Sequence, residues 1–365
     1  MNNSNNKFDC IIVGGGLIGL LSAYLIAKQG RSVALLECGE IGRESSWAGG
    51  GILSPLYPWR YPDAVNELIT WSRQHWDNFI LQLQSESDID PQSIKSGMLI
   101  LDQEEQAVAS EWAKRFNVTM ECIDQEQLKR KEPALGPEPE HALWLPDVGQ
   151  VRNPRLLKSL RQAATHAGVA LFEQHPATQL LTQQGKITGV ICEQQRFYAP
   201  QVVVAAGAWS TKLLATVDYQ LPIEPVRGQM IQFQADPSLL SHITLHQGRY
   251  VIPRRDGQIL AGSTLEYSGF DKSTDPQTRE SLILAATQLV PALADCEVLT
   301  HWAGLRPGSP EGIPTIGELK HIPGLFINSG HFRNGVALSL ASCQLLCNQV
   351  LNQSTIIPSH PYAPR

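Results

Sequence analysis

Cys10-Ile11-Ile12-Val13-Gly14-Gly15-Gly16-Leu17-Ile18-Gly19 is the stretch that decides how this chain folds. Its first four residues are a continuous apolar run, the pattern of a strand buried on both faces of a parallel sheet. After the glycines, Leu17 to Lys28 repeats apolar residues at helical period and stops at Gly30. Ser32 to Leu36 reads as a second buried strand and ends at Glu37. Together these form a βαβ unit of about thirty residues, the usual length of one. The glycines fit G-x-G-x-x-G: Gly14 permits a tight turn, Gly16 lets backbone approach a pyrophosphate, and Gly19 lets helix and strand pack closely. Glu37 stands 18 positions past Gly19, where an acidic side chain accepts hydrogen bonds from a ribose hydroxyl. An adenine dinucleotide is expected here, its phosphates at the helix N-terminus.

This fingerprint serves FAD and NAD alike. The continuation favours FAD. Gly42 to Ile52, through Ser45, Ser46, Gly49, Gly50 and Gly51, is a polar and then small-residue loop that can lie along an extended cofactor and admit its ring close to backbone.

Further along, Val65, Leu68, Ile69, Trp76, Phe79, Ile80 and Leu83 mark an amphipathic helix. Asp102 and Glu105 resemble a capping box for a helix carrying Val108, Trp112 and Phe116. Asn153-Pro154 opens another helix, with Asn153 as cap and Gly168 as stop. Strands are expected at 169–172, 187–192 and 197–205. The stretch 222–306 alternates apolar and polar residues as an antiparallel sheet would. Leu325-Phe326-Ile327 is a last strand, followed by a loop to Gly335 and a helix from Val336 to Leu351. The fold expected is α/β: a Rossmann-like FAD-binding domain assembled from 1–62, 145–220 and 308–365. A second, substrate domain from 63–144 and 221–307 is built on a mixed, largely antiparallel sheet with helices.

Composition narrows the function. The 365 residues exceed what one core normally serves. A net charge of −6 argues against a general nucleic-acid binder. The seven cysteines show no metal-ligand spacing, and no Cys/His cluster suggests a site, so no metal is expected. The polar stretch Met1–Asp9 and the glycine-broken run after it resemble neither a signal peptide nor a membrane span, so a cytoplasmic location is expected.

Three later segments are specific in combination: Tyr250-Val251-Ile252-Pro253-Arg254, Trp302 to Gly308, and Gly330-His331-Phe332-Arg333-Asn334-Gly335. With the glycine loop, the Ser45–Ile52 loop and Val202 to Trp209, they resemble the D-amino-acid oxidase family of FAD-dependent flavoproteins, and within it the glycine oxidase branch, over nearly the whole chain. The resemblance implies that FAD touches Leu17, Ile18, Glu37, Cys38, Ser45, Ser46, Gly50, Gly51, Ile52, Ala177, Gly207 and the loop His331, Phe332, Arg333, Asn334, Gly335, Val336 and Ala337. It implies that Tyr250, Arg306 and Arg333 hold the substrate. The chemistry agrees. A planar guanidinium such as that of Arg306 binds an amino-acid carboxylate through two parallel hydrogen bonds, and a tyrosine hydroxyl adds a third. Arg333 precedes the last helix and can contact substrate through side chain or carbonyl.

The activity implied is oxidative deamination of a small amino acid, glycine first and sarcosine or small D-amino acids next, with oxygen as acceptor. The imine would hydrolyse to a 2-oxo acid and ammonia or feed the thiazole part of thiamine. Related sarcosine oxidases bind flavin covalently through a cysteine; none occurs from Arg306 to Ile316, so non-covalent FAD is expected. Gly248 and Leu265 replace a His and a Met that line the pocket in relatives. Other readings remain: a D-amino-acid dehydrogenase passing electrons to a quinone, a non-catalytic flavin-carrying subunit, and, more distantly, an NAD-linked dehydrogenase. Oligomeric state is left open.

Overall fold

A computed structural model describes residues 6–102 and 104–365; the first five residues of the polar N-terminal stretch lie outside it. Cys10–Val13 is the centre of a six-stranded sheet, hydrogen-bonded in parallel to Gln201–Val204 on one side and to Val33–Leu36 on the other. Leu325–Ser329 and Ala170–Phe172 extend it in parallel, and Thr315–Glu318 closes one edge antiparallel. Both faces are covered, which is why these strands read as unbroken apolar runs. Cys10 and Ile12 face a helical layer, Leu17–Ala27, Asp63–Ser87, Asn153–His166 and Gly335–Val350. Ile11 and Val13 face a three-stranded antiparallel sheet through Leu180, Val190 and Phe197.

The second sheet has eight strands, antiparallel except where Ile243–His246 runs parallel to Met98–Ile100. Its outer face packs on the helix Pro276–Leu289 through Leu282, Ala286 and Leu289. The inner face carries Met230, Tyr250, Ile252 and Leu260 toward the first sheet.

Several sequence expectations need correction. The helix Asp63–Ser87, expected in the substrate domain, packs on the first sheet's helices instead, with Val65, Leu68 and Leu83 in the same core as Leu20 and Leu338. An amphipathic stripe says that a helix packs but not on which neighbour. The helix Pro276–Leu289 lies inside the stretch read as all sheet. Its signal was present: the Asp275 carboxylate accepts the Thr278 N–H at 2.7 Å, and Pro276 opens the first turn. Asp102 caps no helix; it accepts hydrogen bonds from Tyr57 Oη at 2.8 Å and the Gln247 N–H at 2.9 Å. Asn153 is the first helical residue rather than the cap, and its Nδ2 donates to the Ser46 carbonyl at 2.7 Å. The strand expected at 197–205 is two strands, Gln195–Tyr198 and Gln201–Val204.

Candidate active site

One cavity of about 630 Å³ runs between the two sheets, from the glycine loop to Tyr250 and Arg306. At one end the first strand turns into its helix. Gly14 has φ +112°, and a Cβ on Gly19 would stand 1.8 Å from the Gly14 carbonyl oxygen. Only glycines allow this turn and this helix–strand approach. The Glu37 carboxylate accepts the Gly15 N–H at 2.6 Å and the Gly39 N–H at 2.9 Å. Ser46 Oγ accepts the Leu17 N–H at 2.9 Å, so the one-turn helix Ser45–Ala48 is tied to the start of the first long helix. The stretch read as a loop therefore contains a helical turn. Trp302 Nε1, from the second sheet, donates to the Ala48 carbonyl at 3.0 Å and fixes that turn from the other side.

At the other end the register of the second sheet builds a floor. Gly262 pairs with both Met230 and Tyr250. On the neighbouring strand Met230 pairs with Trp302, Gly228 with Gly304, and Val226 with Arg306. Side chains two apart on a strand share a face, so Trp302, Gly304 and Arg306 project to one side. The missing side chain of Gly228 makes room for the guanidinium, because a Cβ there would lie 2.1 Å from it. Arg306 Nη2 donates to Ser263 Oγ at 2.9 Å and Nη1 to the Thr264 carbonyl at 3.1 Å. Neither partner is an acid. The carboxylate next along, Glu266, pairs with Arg227 at 2.6 Å. Among the described residues Arg306 forms no ion pair, and burial pulls its pKa below the usual arginine value, with Arg333 adding a smaller push in the same direction. A cation held among carbonyls and a hydroxyl at a cavity wall is poised for an anionic ligand. Tyr250 is buried beside it, its Oη 3.7 Å from Met230 Sδ.

Between these ends lies the loop before the last helix. The Phe332 N–H donates to the Pro307 carbonyl at 3.0 Å, joining the loop to the Arg306 strand. His331 is among the lining residues, but its ring is hydrogen-bonded in the core, with Nε2 2.7 Å from Ser342 Oγ; burial pushes its pKa down to about 3. It is a neutral structural histidine.

Nearly all of the residues expected to bind cofactor or substrate line this one cavity, from Gly14, Gly16 and Glu37 through Ser45, Gly51 and Ala177 to Tyr250, Arg306 and Arg333. Two do not. Gly19 sits behind the turn, packed on Gly14, and Ala337 lines a separate cavity of about 410 Å³. Gly248 and Leu265 also stand apart: Gly248 is in a strand turn with nothing within 4 Å of its Cβ position, and Leu265 is 45% exposed. Sequence reasoning missed Met230, Ser263 and Asn153, all lining the cavity. A lone thioether, hydroxyl or amide has no sequence signature, and only strand register and packing bring them in.

The cavity fits FAD in chemistry as well as in course. It joins a glycine turn of the form that receives phosphates, and a carboxylate placed where a ribose would lie, to buried polar atoms that have no partner among the described residues, Asn334 Nδ2 and Asn153 Oδ1. Buried donors and acceptors of that kind call for a polar ligand.

A family profile described as FAD dependent oxidoreductase matches residues 9–349. The glycine oxidase of Pseudomonas putida is 45% identical over 355 residues, covering 97% of this chain and 97% of that protein. The bifunctional protein ThiO/ThiG of Synechocystis is 30% identical over 367 residues, or 98% of this chain and 54% of that protein. The crystal structure of glycine oxidase from Geobacillus kaustophilus superposes with a TM-score of 0.94 at 27% identity, with 99% of each chain covered. With the dinucleotide turn, the acid-free Arg306 and this extent of similarity in hand, the chain belongs to the FAD dependent oxidoreductase family, the D-amino-acid oxidase group of flavoproteins.

Proposed function

We propose that this protein oxidises glycine, and more slowly other small amino acids such as sarcosine or small D-amino acids, with oxygen as acceptor. The observation that carries this reading is Arg306, a half-buried guanidinium with no acid partner among the described residues, beside Tyr250 in the cavity that begins at the dinucleotide turn.

FAD supplies a two-electron acceptor for the α-hydrogen. Gly14, Gly16 and Leu17 would hold its pyrophosphate at the helix N-terminus, Glu37 its ribose, and the Gly50–Ile52 and His331–Val336 segments its ring. Arg306 takes the substrate carboxylate through two hydrogen bonds, Tyr250 Oη donates a third, and Arg333 adds positive charge at the same end. Fixing the acid end of so small a molecule fixes the direction of its α-carbon, and this orientation supplies much of the rate. Among the described residues, no carboxylate or histidine near Arg306 is free to act as a base: Glu266 is paired with Arg227. His331 is neutral and faces Ser342, while Glu37 is held by Gly15 and Gly39 at the far end. The amine therefore gives its proton to solvent. The amino acid loses two electrons and two protons to become an imine; water converts that to ammonia and a 2-oxo acid, glyoxylate from glycine, and oxygen becomes hydrogen peroxide.

The Synechocystis relative, a bifunctional protein ThiO/ThiG, motivates a second use of the same product: delivery of the imine to the thiazole of thiamine. An aerobic peroxide assay over glycine, sarcosine, D-alanine, D-proline and L-amino acids tests the substrate assignment. Peroxide from glycine above the others supports it. An L-amino acid as the best substrate, or no peroxide from any of them, refutes it.

A further inference from the structure

Of the specific segment Tyr250 to Arg254, the reaction uses only Tyr250. Strand alternation puts Tyr250, Ile252 and Arg254 on one face, and the Gly50 backbone lies across this row. A Cβ on Gly50 would be 2.6 Å from Ile252 Cδ1 and 3.5 Å from Tyr250 Cε2. Arg254 closes the row but does not reach the cavity. It is 8% exposed and, like Arg306, forms no ion pair among the described residues. Its hydrogen bonds go to Gly50 O at 2.7 Å, Gln150 Oε1 at 2.6 Å and Val151 O at 3.2 Å.

These three acceptors come from two segments about a hundred residues apart, and the segments are also joined directly. The Val151 N–H donates to Gly51 O at 2.9 Å, and the Leu53 N–H to Gly149 O at 2.9 Å. The carbonyls of Gly50 and Gly51 are thus both taken by protein donors. Among the described residues the N–H groups of Gly50, Gly51 and Ile52 find no acceptor, and all three residues line the cavity. Gly51 is buried and Gly50 and Ile52 are half-buried, and N–H groups so shielded are rarely left unpaired, so this edge faces an acceptor the chain does not supply. The isoalloxazine, rich in ring nitrogen and carbonyl acceptors, has the matching chemistry.

We propose that Arg254 is a positioning residue for the flavin: by taking the Gly50 carbonyl it turns the Gly50–Ile52 N–H edge into the cavity as a donor rail for the ring. Burying a cation that no carboxylate pairs is costly, and burial lowers its pKa to about 10. A methionine or leucine would fill the same space without that cost but could not hold the carbonyl.

The test is made on purified holoenzyme variants Arg254→Gln, Arg254→Lys and Arg152→Ala, reading the FAD dissociation constant and the visible flavin spectrum rather than turnover. Arg152 is a neighbouring clamp, paired with Asp256 at 2.6 Å, that makes no bond to the Gly50–Ile52 segment. Arg254→Gln is expected to weaken FAD binding by about tenfold or more, the scale of one lost charge-assisted hydrogen bond, and to shift the flavin bands. Arg254→Lys should recover part of both effects, and Arg152→Ala should show neither. Wild-type FAD affinity and spectrum in Arg254→Gln, or an equal loss in Arg152→Ala, overturns the proposal. If Arg254→Gln does not fold, Arg254→Lys decides by the same readouts: weakened FAD with shifted bands supports the role, and wild-type values refute it. Because the readout is FAD binding, a wrong substrate assignment leaves the result interpretable.

Discussion

Arg306 Nη2 donates to Ser263 Oγ at 2.9 Å, and the Ser263 carbonyl in turn accepts Arg249 Nη1 at 2.6 Å. The serine is held at its backbone by one arginine and orients the other. Ser263→Ala should raise the KM for glycine about fivefold, the value of roughly one hydrogen bond, with kcat near wild type. Steady-state kinetics on the two variants Ser263→Ala and Ser263→Thr check this; Thr keeps the hydroxyl and should restore KM. An unchanged KM in the alanine variant would show that the guanidinium is oriented by other partners.

Gly228→Ala acts on the same guanidinium by volume. Its Cβ would stand 2.1 Å from Arg306, so the side chain must move. The variant should bind FAD normally and lose apparent glycine affinity by on the order of a hundredfold, as misplaced positioning groups commonly do. A FAD titration beside glycine saturation kinetics separates the two effects.

Glu37 acts at the opposite end. Its carboxylate holds the Gly15 and Gly39 N–H groups while facing the cavity. Glu37→Ala should weaken FAD binding by about tenfold to a hundredfold, the scale of losing charge-assisted hydrogen bonds. Glycine KM, measured with saturating FAD, should stay close to wild type. Equilibrium dialysis of the holoenzyme reads the first quantity.

His331 gives a pH dependence with a definite sign. Burial lowers its pKa from 6.5 to about 3, so the unfolded chain binds a proton that the folded one refuses. Its contribution to stability is complete above pH 6.5 and is lost as pH falls toward 3, with a slope of about 1.4 kcal/mol per pH unit for one proton. Thermal unfolding between pH 7 and 4 should show a flatter pH dependence in His331→Gln than in wild type. Equal slopes would mean that other groups carry the acid sensitivity.

The opening βαβ unit was legible because its signals agree: apolar runs of strand length, glycines that only a tight turn explains, and Glu37 at the right distance. The gathering of Tyr250, Arg306 and Arg333 was legible only through resemblance, since a tyrosine in a strand and an arginine before a proline are individually ordinary. Register supplied what sequence lacked. Because Gly262 pairs with both Met230 and Tyr250, three distant segments meet at one patch. The helix Asp63–Ser87 was readable as a helix but not as part of the first sheet's cover, because its partners Leu338 and Leu345 lie more than 250 residues later. Leu265 misled for the opposite reason: its place in the chain suggested the pocket, yet it projects outward at 45% exposure.

Anaerobic mixing with glycine, followed by loss of the oxidised flavin absorption, tests most directly whether Arg306 anchors the amino acid beside the cofactor. Wild-type protein should bleach, and Arg306→Ala, with FAD still bound, should need at least about a hundredfold more glycine for the same rate, as loss of a bidentate charged contact implies. Bleaching of Arg306→Ala at wild-type glycine concentrations would contradict that placement, and a wild-type protein that glycine does not bleach would contradict the substrate.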